Sequence, residues 1–287
     1  MISVLQLGTV DYSTGLRLQD KLVALRKDAR IGDTLLLLEH TPVITLGRNA
    51  QSKNILASAE ALASRGVEVH ECDRGGDVTF HGPGQLVAYP IFDLRAFPSA
   101  SENRKSLGAV EFVRRLEEAL IRTCTEFGIA TKRIQGLTGV WTDVSEFAES
   151  STQPDSRRRL SPHGLSPKLS ASSDLAEAKI AALGVHISRG VTSHGIALNV
   201  NTDISFFNLI VPCGITSKSV TSMEKELGHS VSMQEAAHTI SRNFGLVFQS
   251  QMLWLDSLEA LLGTSIGVPV KLPENLRKIY KERSTWA

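Results

Sequence analysis

Cysteine is scarce in this 287-residue chain and its three copies are far apart. Cys72, Cys124 and Cys213 form no CxxC pair. An odd, widely spaced set of this kind argues against both a disulfide framework and a cysteine-type zinc site. We therefore expect no metal, and the cysteine usage fits a reducing compartment.

Long apolar runs and a strong charge of either sign are missing too. The longest aliphatic run, residues 35–38, is far shorter than the roughly 20 residues that cross a bilayer. The 31 Lys and Arg residues nearly balance the 30 Asp and Glu residues, which leaves a net charge of +1. A net charge this small gives the chain no overall electrostatic attraction to nucleic acid or to a membrane surface. The first residues carry no recognisable targeting signal, so a cytoplasmic location is predicted, with a trimmed mitochondrial form as the alternative.

Strand-like and helix-like patterns alternate along the chain. Strands are predicted at residues 2–7, 34–39, 43–46, 67–72, 86–92, 137–142, 178–183, 185–188 and 196–200. Helices are predicted where Leu18, Leu22, Leu25 and Ala29 recur at helical spacing, and at residues 58–65, 109–127 and 232–249. The apolar stripe of the helix at 109–127 is predicted to be Val110, Val113, Leu116, Leu120 and Cys124. Because regular βαβ repeats are missing, the pattern favours an α+β or mixed α/β fold over a doubly wound sheet.

Residues 150–173 differ in composition from the rest of the chain. They hold eight serines, three prolines and no aromatic residue. Such a segment cannot bury enough apolar surface to offset the entropy lost on ordering. We predict one domain over residues 1–250 with a flexible insertion at about 146–175. An extension of unassigned role follows at residues 251–287.

The segment RGGDVTFHGPGQ, residues 74–85, holds four glycines together with Arg74, Thr79 and His81. Glycines allow backbone N–H groups to approach a ligand closely. No GK[ST] follows, so it is not a Walker loop, and no helix opens from it, so it is not a Rossmann fingerprint. The alternative is a glycine-rich hairpin with an incidental Arg and His. The three polar side chains favour a binding loop.

The segment VPCGI, residues 211–215, places Cys213 between a proline and a glycine. A thiol in that setting can act as a nucleophile when its pKa falls below the usual value of about 8.5. A Thr-x-x-Glu pattern at residues 221–224 has the form of a capping box that opens a helix. The alternative for any cysteine is a small buried hydrophobic residue. Cys124 fits that alternative because it lies on the helix stripe, whereas Cys72 remains open.

Two further polar residues lie among apolar neighbours. Lys179 interrupts the apolar strand in AKIAALG, residues 178–184. On a strand edge it would be a solvated residue, and if buried it must pair, titrate or take part in chemistry. His194 could also favour a thiolate, but it precedes Gly195 in a predicted turn, where a histidine more often makes a structural hydrogen bond.

Together these segments resemble the lipoyl(octanoyl)-protein transferase family, the octanoyl-acyl-carrier-protein:protein N-octanoyltransferases of lipoate biosynthesis. The matching segments are RGGDVTFHGPGQLVAYPI at 74–91, GLTGVWT at 136–142, KIAALGV at 179–185, RGVTSHGIALNV at 189–200 and FFNLIVPCGI at 206–215. The resemblance implies a single-domain fold like the catalytic domains of biotin and lipoate ligases, a mixed sheet with flanking helices.

The resemblance also implies a two-step acyl transfer without a cofactor. Cys213 would take the octanoyl group from octanoyl-acyl carrier protein as a thioester, and Lys179 would lower the pKa of its thiol. A lysine of a lipoyl domain, in a 2-oxoacid dehydrogenase E2 subunit or the glycine cleavage H protein, would then accept it. A monomer is expected. The implied substrate-binding residues are Arg74, Gly75, Gly76, Asp77, Val78, Thr79, Phe80, His81, Ala182, Leu183, Gly184, Gly195, Ile196 and Ala197.

Three other functions compete with acyl transfer. A lipoate or biotin ligase on the same scaffold would need a nucleotide site but not Cys213. A cysteine hydrolase would replace the acceptor lysine with water, although no Cys–His pair at a recognisable spacing supports it. A binding module without catalysis would hold an acyl chain against the glycine-rich loop.

Overall fold

The computed structural model describes residues 1–100, 104–143, 177–212 and 218–262, and their strands form two sheets. The strands are β1 Ile2–Val10, β2 Asp33–His40, β3 Val43–Leu46, β4 Glu68–Glu71, β5 Val78–His81, β6 Gln85–Ile91, β7 Thr131–Ile134, β8 Leu137–Thr142, β9 Ala178–Ser188, β10 Val191–Asn199, β11 Ser219–Val220 and β12 Met252–Trp254. The helices are α1 Tyr12–Lys27, α2 Ala59–Ser64, α3 Ala109–Glu126, α4 Met223–Leu227, α5 Met233–Phe248 and α6 Leu258–Leu262. Cys213, the insertion at 146–175 and residues 263–287 lie outside the described residues.

The large sheet is mixed, with the strand order β12-β1-β2-β6-β10-β9-β8-β7 and with β11 paired to β9. The β1–β2, β1–β12 and β9–β11 pairs are parallel, and the others are antiparallel. β12 follows the predicted boundary at residue 250 and joins the edge of this sheet at β1. None of the described helices combines the length and apolar character that crossing a bilayer needs.

Each face of the large sheet carries its own hydrophobic cluster. Alternate strand residues point to opposite faces, so Leu35 and Leu37 pack with α3 and α5 while Leu36 and Leu38 pack with α1. Both faces of the central strands are therefore buried, which accounts for the uninterrupted leucine run. The predicted mixed sheet with flanking helices is confirmed.

The small sheet, in the order β4-β3-β5, is formed by the segments on either side of α2. Its apolar side chains pack with residues of the turn at 204–210 in a separate cluster. α2 begins after the N-cap Ser58 and ends at the C-cap Arg65, followed by Gly66 at φ +64°, as local capping signals predicted.

Several boundary predictions were wrong, each for a local reason. The two strands predicted at 178–188 are one strand, because Gly184 pairs with Gly195 without interrupting the ladder. Val110 is 77% exposed and does not belong to the stripe of α3, whose buried face instead includes Phe112. The cap of α4 is Ser222, one residue after the predicted Thr221.

Candidate active site

A cavity lies between the small sheet and the face of the large sheet formed by β6, β9 and β10. Concave sites of this kind, where apolar side chains surround a few polar groups, are where small molecules usually bind. The lining side chains are mostly apolar or aromatic, with a few polar groups among them. They belong to Tyr12, Arg74, Gly76, Asp77, Thr79, His81, Val87, Tyr89, Ala182, Leu183, Gly184, His194, Gly195, Ile196 and Ala197.

The glycine-rich segment is not a simple loop, because its middle is the strand β5. Side chains alternate along a strand, so Thr79 and His81 face the cavity while Val78 and Phe80 point away from it. Val78 and Phe80 belong to the hydrophobic cluster of the small sheet, and the expectation that they line the site is corrected accordingly. Gly75 is also absent from the lining, and its N–H donates to the Val185 carbonyl, 3.1 Å away.

The other predicted binding residues do converge on the cavity. The glycine-rich segment contributes one wall, and β9 and β10 contribute the floor through two runs of three residues each. The predicted residues that line it are Arg74, Gly76, Asp77, Thr79, His81, Ala182, Leu183, Gly184, Gly195, Ile196 and Ala197.

Arg74 holds the wall of the cavity in place through its buried guanidinium. Its Nη2 donates to the carbonyls of Thr45 at 2.7 Å and Asp77 at 2.6 Å, and its Nη1 donates to the carbonyl of Gly75 at 3.1 Å. Its Nε donates to the Thr45 hydroxyl at 3.1 Å. These bonds tie β3 to the turn before β5, so Arg74 shapes this wall of the cavity.

Tyr12, Val87, Tyr89 and His194 line the cavity although the sequence did not single them out as binding residues. Tyr89 and Val87 alternate on the same face of β6, which is the one signal that could have paired them. Tyr12 opens α1, and its ring stacks on His81 with 6.3 Å between ring centroids. No local pattern links Tyr12 to a glycine-rich segment more than 60 residues away.

His40 lies behind the cavity and orients the Tyr89 hydroxyl. Its Nδ1 lies 2.7 Å from the Val10 carbonyl, which can only accept, so Nδ1 carries the proton. Its Nε2 therefore accepts a hydrogen bond from the Tyr89 hydroxyl, also 2.7 Å away. Burial lowers the pKa of His40 to about 4 and raises the pKa of Tyr89. Both groups are thus neutral at neutral pH.

His194 lies in β10 rather than in the predicted turn, with a left-handed backbone at φ +56°. Its Nε2 is 2.7 Å from Oδ1 of Asp73, and the second oxygen of that carboxylate is 3.1 Å from Nδ1 of His186. Its backbone N–H donates to the side chain of Gln19 at 2.7 Å. The predicted structural hydrogen bond is present, and His194 also lines the cavity.

Lys179 is a buried lysine on an interior strand, 7% exposed, which rules out the solvated edge residue. In the register of the sheet, Lys179 is paired with Trp141 of β8 on one side of β9 and with Val220 of β11 on the other. Its Nζ lies 4.7 Å from the centroid of the Trp141 ring, within cation–π distance.

Cys213 lies outside the described residues, so only its flanks can be placed. Before it, the Val211 N–H donates to the Asn54 carbonyl at 2.7 Å. After it, the Lys218 ammonium bonds to Glu177 at 2.5 Å, and β11 then pairs with β9. The chain is thus anchored to the segment between β3 and α2 before this gap and to the Lys179 strand after it.

The other two cysteines have ordinary surroundings. Cys124 is fully buried on α3, and burial raises the pKa of its thiol to about 12, as expected of a small hydrophobic residue. The half-buried thiol of Cys72 donates to the Leu46 carbonyl at 3.4 Å. Within the described residues, no group of three or more His, Cys, Asp and Glu side chains could hold a metal ion.

Comparison with solved structures gives the same architecture. A bi-partite lipoate protein ligase from Thermoplasma acidophilum superposes with a TM-score of 0.61 at 14% identity, covering 91% of this chain and 89% of that one. Lipoate-protein ligase A bound with ATP gives a TM-score of 0.58 at 14% identity, covering 90% of this chain and 89% of the other. At this identity the likeness shows the shared fold alone.

Sequence comparison is more specific. An octanoyltransferase of Koribacter versatilis is 55% identical over 282 residues, 98% of each chain. An octanoyltransferase of Acidobacterium capsulatum is 53% identical over 264 residues, 91% of this chain and 96% of the relative. The model of the lipoyl protein ligase A/B catalytic domain matches residues 11–245. The chain therefore belongs to the lipoyl protein ligase A/B catalytic domain family and, within it, to the octanoyltransferases, which are acyltransferases.

Proposed function

We propose that this acyltransferase moves an octanoyl group from octanoyl-acyl carrier protein to a lysine of a lipoyl domain through a thioester on Cys213. The observation that carries the proposal is the mostly apolar cavity built from the family's glycine-rich, β9 and β10 segments. A saturated acyl chain requires this kind of lining, and burying each methylene contributes about 0.8 kcal/mol. That corresponds to roughly fourfold in affinity per carbon, so an apolar cavity matched to the acyl length discriminates between chain lengths.

In the first step the Cys213 thiolate attacks the thioester carbonyl of the carrier protein. A new carbon–sulfur bond forms, the carbonyl–sulfur bond to the carrier breaks, and the carrier thiolate leaves and takes up a proton. A cation close to a thiol favours the thiolate, and this is the role we assign to Lys179. The pairing of β11 with β9 supports it, since β11 closely follows the segment that contains Cys213.

In the second step the neutral amine of the acceptor lysine attacks the octanoyl-enzyme. A carbon–nitrogen bond forms, the thioester to Cys213 breaks, and the proton lost by the amine returns to the thiolate. Thioester exchange is nearly isoenergetic and amide formation from a thioester is downhill, so neither step requires ATP. The acceptors we propose are the lipoyl domains of 2-oxoacid dehydrogenase E2 subunits and the glycine cleavage H protein, with the chain acting as a monomer.

Transfer assays with and without ATP test this proposal against the ligase alternative. Octanoyl-acyl carrier protein should octanoylate a lipoyl domain without ATP, and Cys213→Ala should abolish transfer while Cys72→Ala retains it. Octanoylation that requires free octanoate and ATP, and that survives Cys213→Ala, would identify a ligase. Release of free octanoate in place of transfer would identify a hydrolase.

A further inference from the structure

An unbroken chain of hydrogen bonds runs from the cavity to the backbone of Lys179. His81 Nδ1 lies 2.7 Å from Gln85 Oε1, and Gln85 Nε2 donates to Asn199 Oδ1 at 2.9 Å. Asn199 Nδ2 donates to the Thr221 carbonyl at 2.9 Å, and the Thr221 N–H donates to the Lys179 carbonyl at 3.0 Å. All five residues are at least nine-tenths buried. The chain connects β5, β6 and β10 to Thr221, the residue after β11, and through it to β9.

Backbone carbonyls determine which way both amides in this chain must point. Gln85 Nε2 also lies 3.2 Å from the Phe80 carbonyl, which can only accept, so this atom is the donor and Oε1 is the acceptor. The Thr221 carbonyl sets the orientation of Asn199 in the same way. Because Gln85 offers an acceptor to His81, the imidazole must carry its proton on Nδ1.

His81 is neutral in this setting. Burial lowers the pKa of His81 to about 3, with further lowering from His40, Arg74 and His194. A neutral imidazole protonated on Nδ1 has an acceptor lone pair on Nε2. Since His81 lines the cavity, this is the polar character it offers to a bound ligand.

We propose that Gln85 and Asn199 are positioning residues for acyl transfer. Gln85 holds His81 as the neutral Nδ1–H tautomer in the cavity wall, and Asn199 holds Thr221, and with it β11, beside Lys179. Gln85 therefore acts on the acyl cavity and Asn199 acts on the lysine. This inference rests on the proposed function, because it assigns both residues to steps of that reaction.

The tautomer can be measured on the unaltered full-length protein, without any acyl transfer. We would record imidazole nitrogen chemical shifts by NMR and assign His81 by its loss in His81→Gln. The expected result is a protonated Nδ1, an unprotonated Nε2 and no titration between pH 5 and 8. A protonated Nε2 at pH 7, or a charged ring, would overturn the proposal. This result stands apart from the proposed function, which fails if the unaltered protein transfers no octanoyl group.

Gln85→Glu tests the role of Gln85 in holding His81 in the cavity wall. A carboxylate keeps the acceptor for His81 but faces two oxygens, Asn199 Oδ1 and the Phe80 carbonyl, without a proton to donate. We expect His81 to titrate above pH 5 and KM for octanoyl-acyl carrier protein to rise at least fivefold, with kcat within twofold. The matched control is Gln234→Glu, beside the exposed His238 at 2.7 Å, which should leave both constants unchanged. If neither the titration of His81 nor the KM changed in Gln85→Glu, Gln85 would not be a positioning residue for His81.

Asn199→Ala tests the role of Asn199 near Lys179, since it removes the hydrogen bond that joins β10 to Thr221, the residue after β11. We expect kcat to fall at least tenfold and the midpoint of Cys213 alkylation against pH to rise by at least half a unit, with KM within twofold. Asn199→Asp keeps the acceptor for Gln85 but loses the donor to Thr221, so it should reproduce this effect even if Asn199→Ala does not fold. The exposed Asn208→Ala is the control. A normal alkylation profile in Asn199→Asp would overturn the assignment.

Discussion

Gly184 and Gly195 face each other in register on β9 and β10, and neither position has room for a side chain. A Cβ at Gly184 would lie 2.6 Å from the Gly75 carbonyl oxygen, and one at Gly195 would lie 2.1 Å from the Ala88 carbonyl oxygen. The missing side chains let the glycine-rich segment and β6 approach the floor of the cavity. Both glycines are thus explained by close backbone approach, and neither needs a positive φ.

Gly184→Ala should therefore damage the site. The added methyl must displace the backbone at Gly75, so we expect KM for the acyl donor to rise at least tenfold and stability to fall by about 1–3 kcal/mol. Gly32→Ala is the matched control, because no atom lies within 4 Å of its Cβ position. Steady-state kinetics and urea unfolding measure both effects. An unchanged KM in Gly184→Ala would show that this contact does not shape the cavity.

Stability should depend on pH through the buried histidines. His40 and His81 have an ordinary pKa of 6.5, which burial lowers to about 4 and about 3 in the folded protein. Between the folded and the ordinary pKa of each histidine, the unfolded chain binds more protons than the folded protein does. The free energy of unfolding therefore falls on acidification, by up to about 1.4 kcal/mol per pH unit for each histidine.

His81→Gln should reduce that slope by about 1 kcal/mol per pH unit between pH 6.5 and 5, because the unfolded histidine is only half protonated at pH 6.5. Urea unfolding at a series of pH values would measure it, with the exposed His238→Gln as control. If His81→Gln kept the slope of the unaltered protein, His81 would not be buried in its neutral form.

Glu117 is a fully buried carboxylate that supports the strand beside Lys179. It accepts from Arg114 at 2.7 Å, from Arg133 at 3.1 Å and from the backbone N–H of Gly139 at 3.2 Å. Both arginines reach solvent, so neither is left as an uncompensated buried charge when Glu117 is removed. We therefore expect Glu117→Ala to lower the free energy of unfolding by about 3 kcal/mol, the low end of the range for removing one partner of a buried ion pair. Glu118→Ala, which removes a half-exposed carboxylate on the same helix, should cost less than about 1 kcal/mol. Equal losses in urea unfolding would refute the distinction.

Lys179→Ala should slow acylation and shift Cys213 alkylation to higher pH. Without the buried cation the thiolate loses a stabilising partner, so the midpoint of the alkylation rate against pH should rise by about one unit. Lys225→Ala, which removes an exposed lysine on α4, serves as control. If Lys179→Ala and the unaltered protein gave the same alkylation rate at every pH, Lys179 would not lower the pKa of Cys213.

Local signals predicted much of the fold from the sequence. Ser58 and Gly66 predicted the two ends of α2, because an N-cap and a left-handed glycine depend only on residues of the adjacent helical turn. β3 was predicted with its observed bounds because its apolar run ends at a glycine. β5 was missed because its four residues are surrounded by glycines, which hid the alternation of Thr79 and His81 with their apolar neighbours.

The candidate site was predictable where its residues share a motif and not where the fold assembles them. Tyr12 and His40 meet His81 only because α1, β2 and β5 converge, and no spacing in the sequence encodes that meeting. The hydrogen bonds of Gln85 and Asn199 likewise join strands that are adjacent in space but far apart in the chain.

The proposed thioester on Cys213 is tested most directly by the intact mass of the protein after mixing with octanoyl-acyl carrier protein. We predict one octanoyl adduct that maps to Cys213, is absent in Cys213→Ala, and disappears when a lipoyl domain is added. An unmodified protein, or an adduct on Cys72 that is not discharged, would contradict the proposed thioester intermediate.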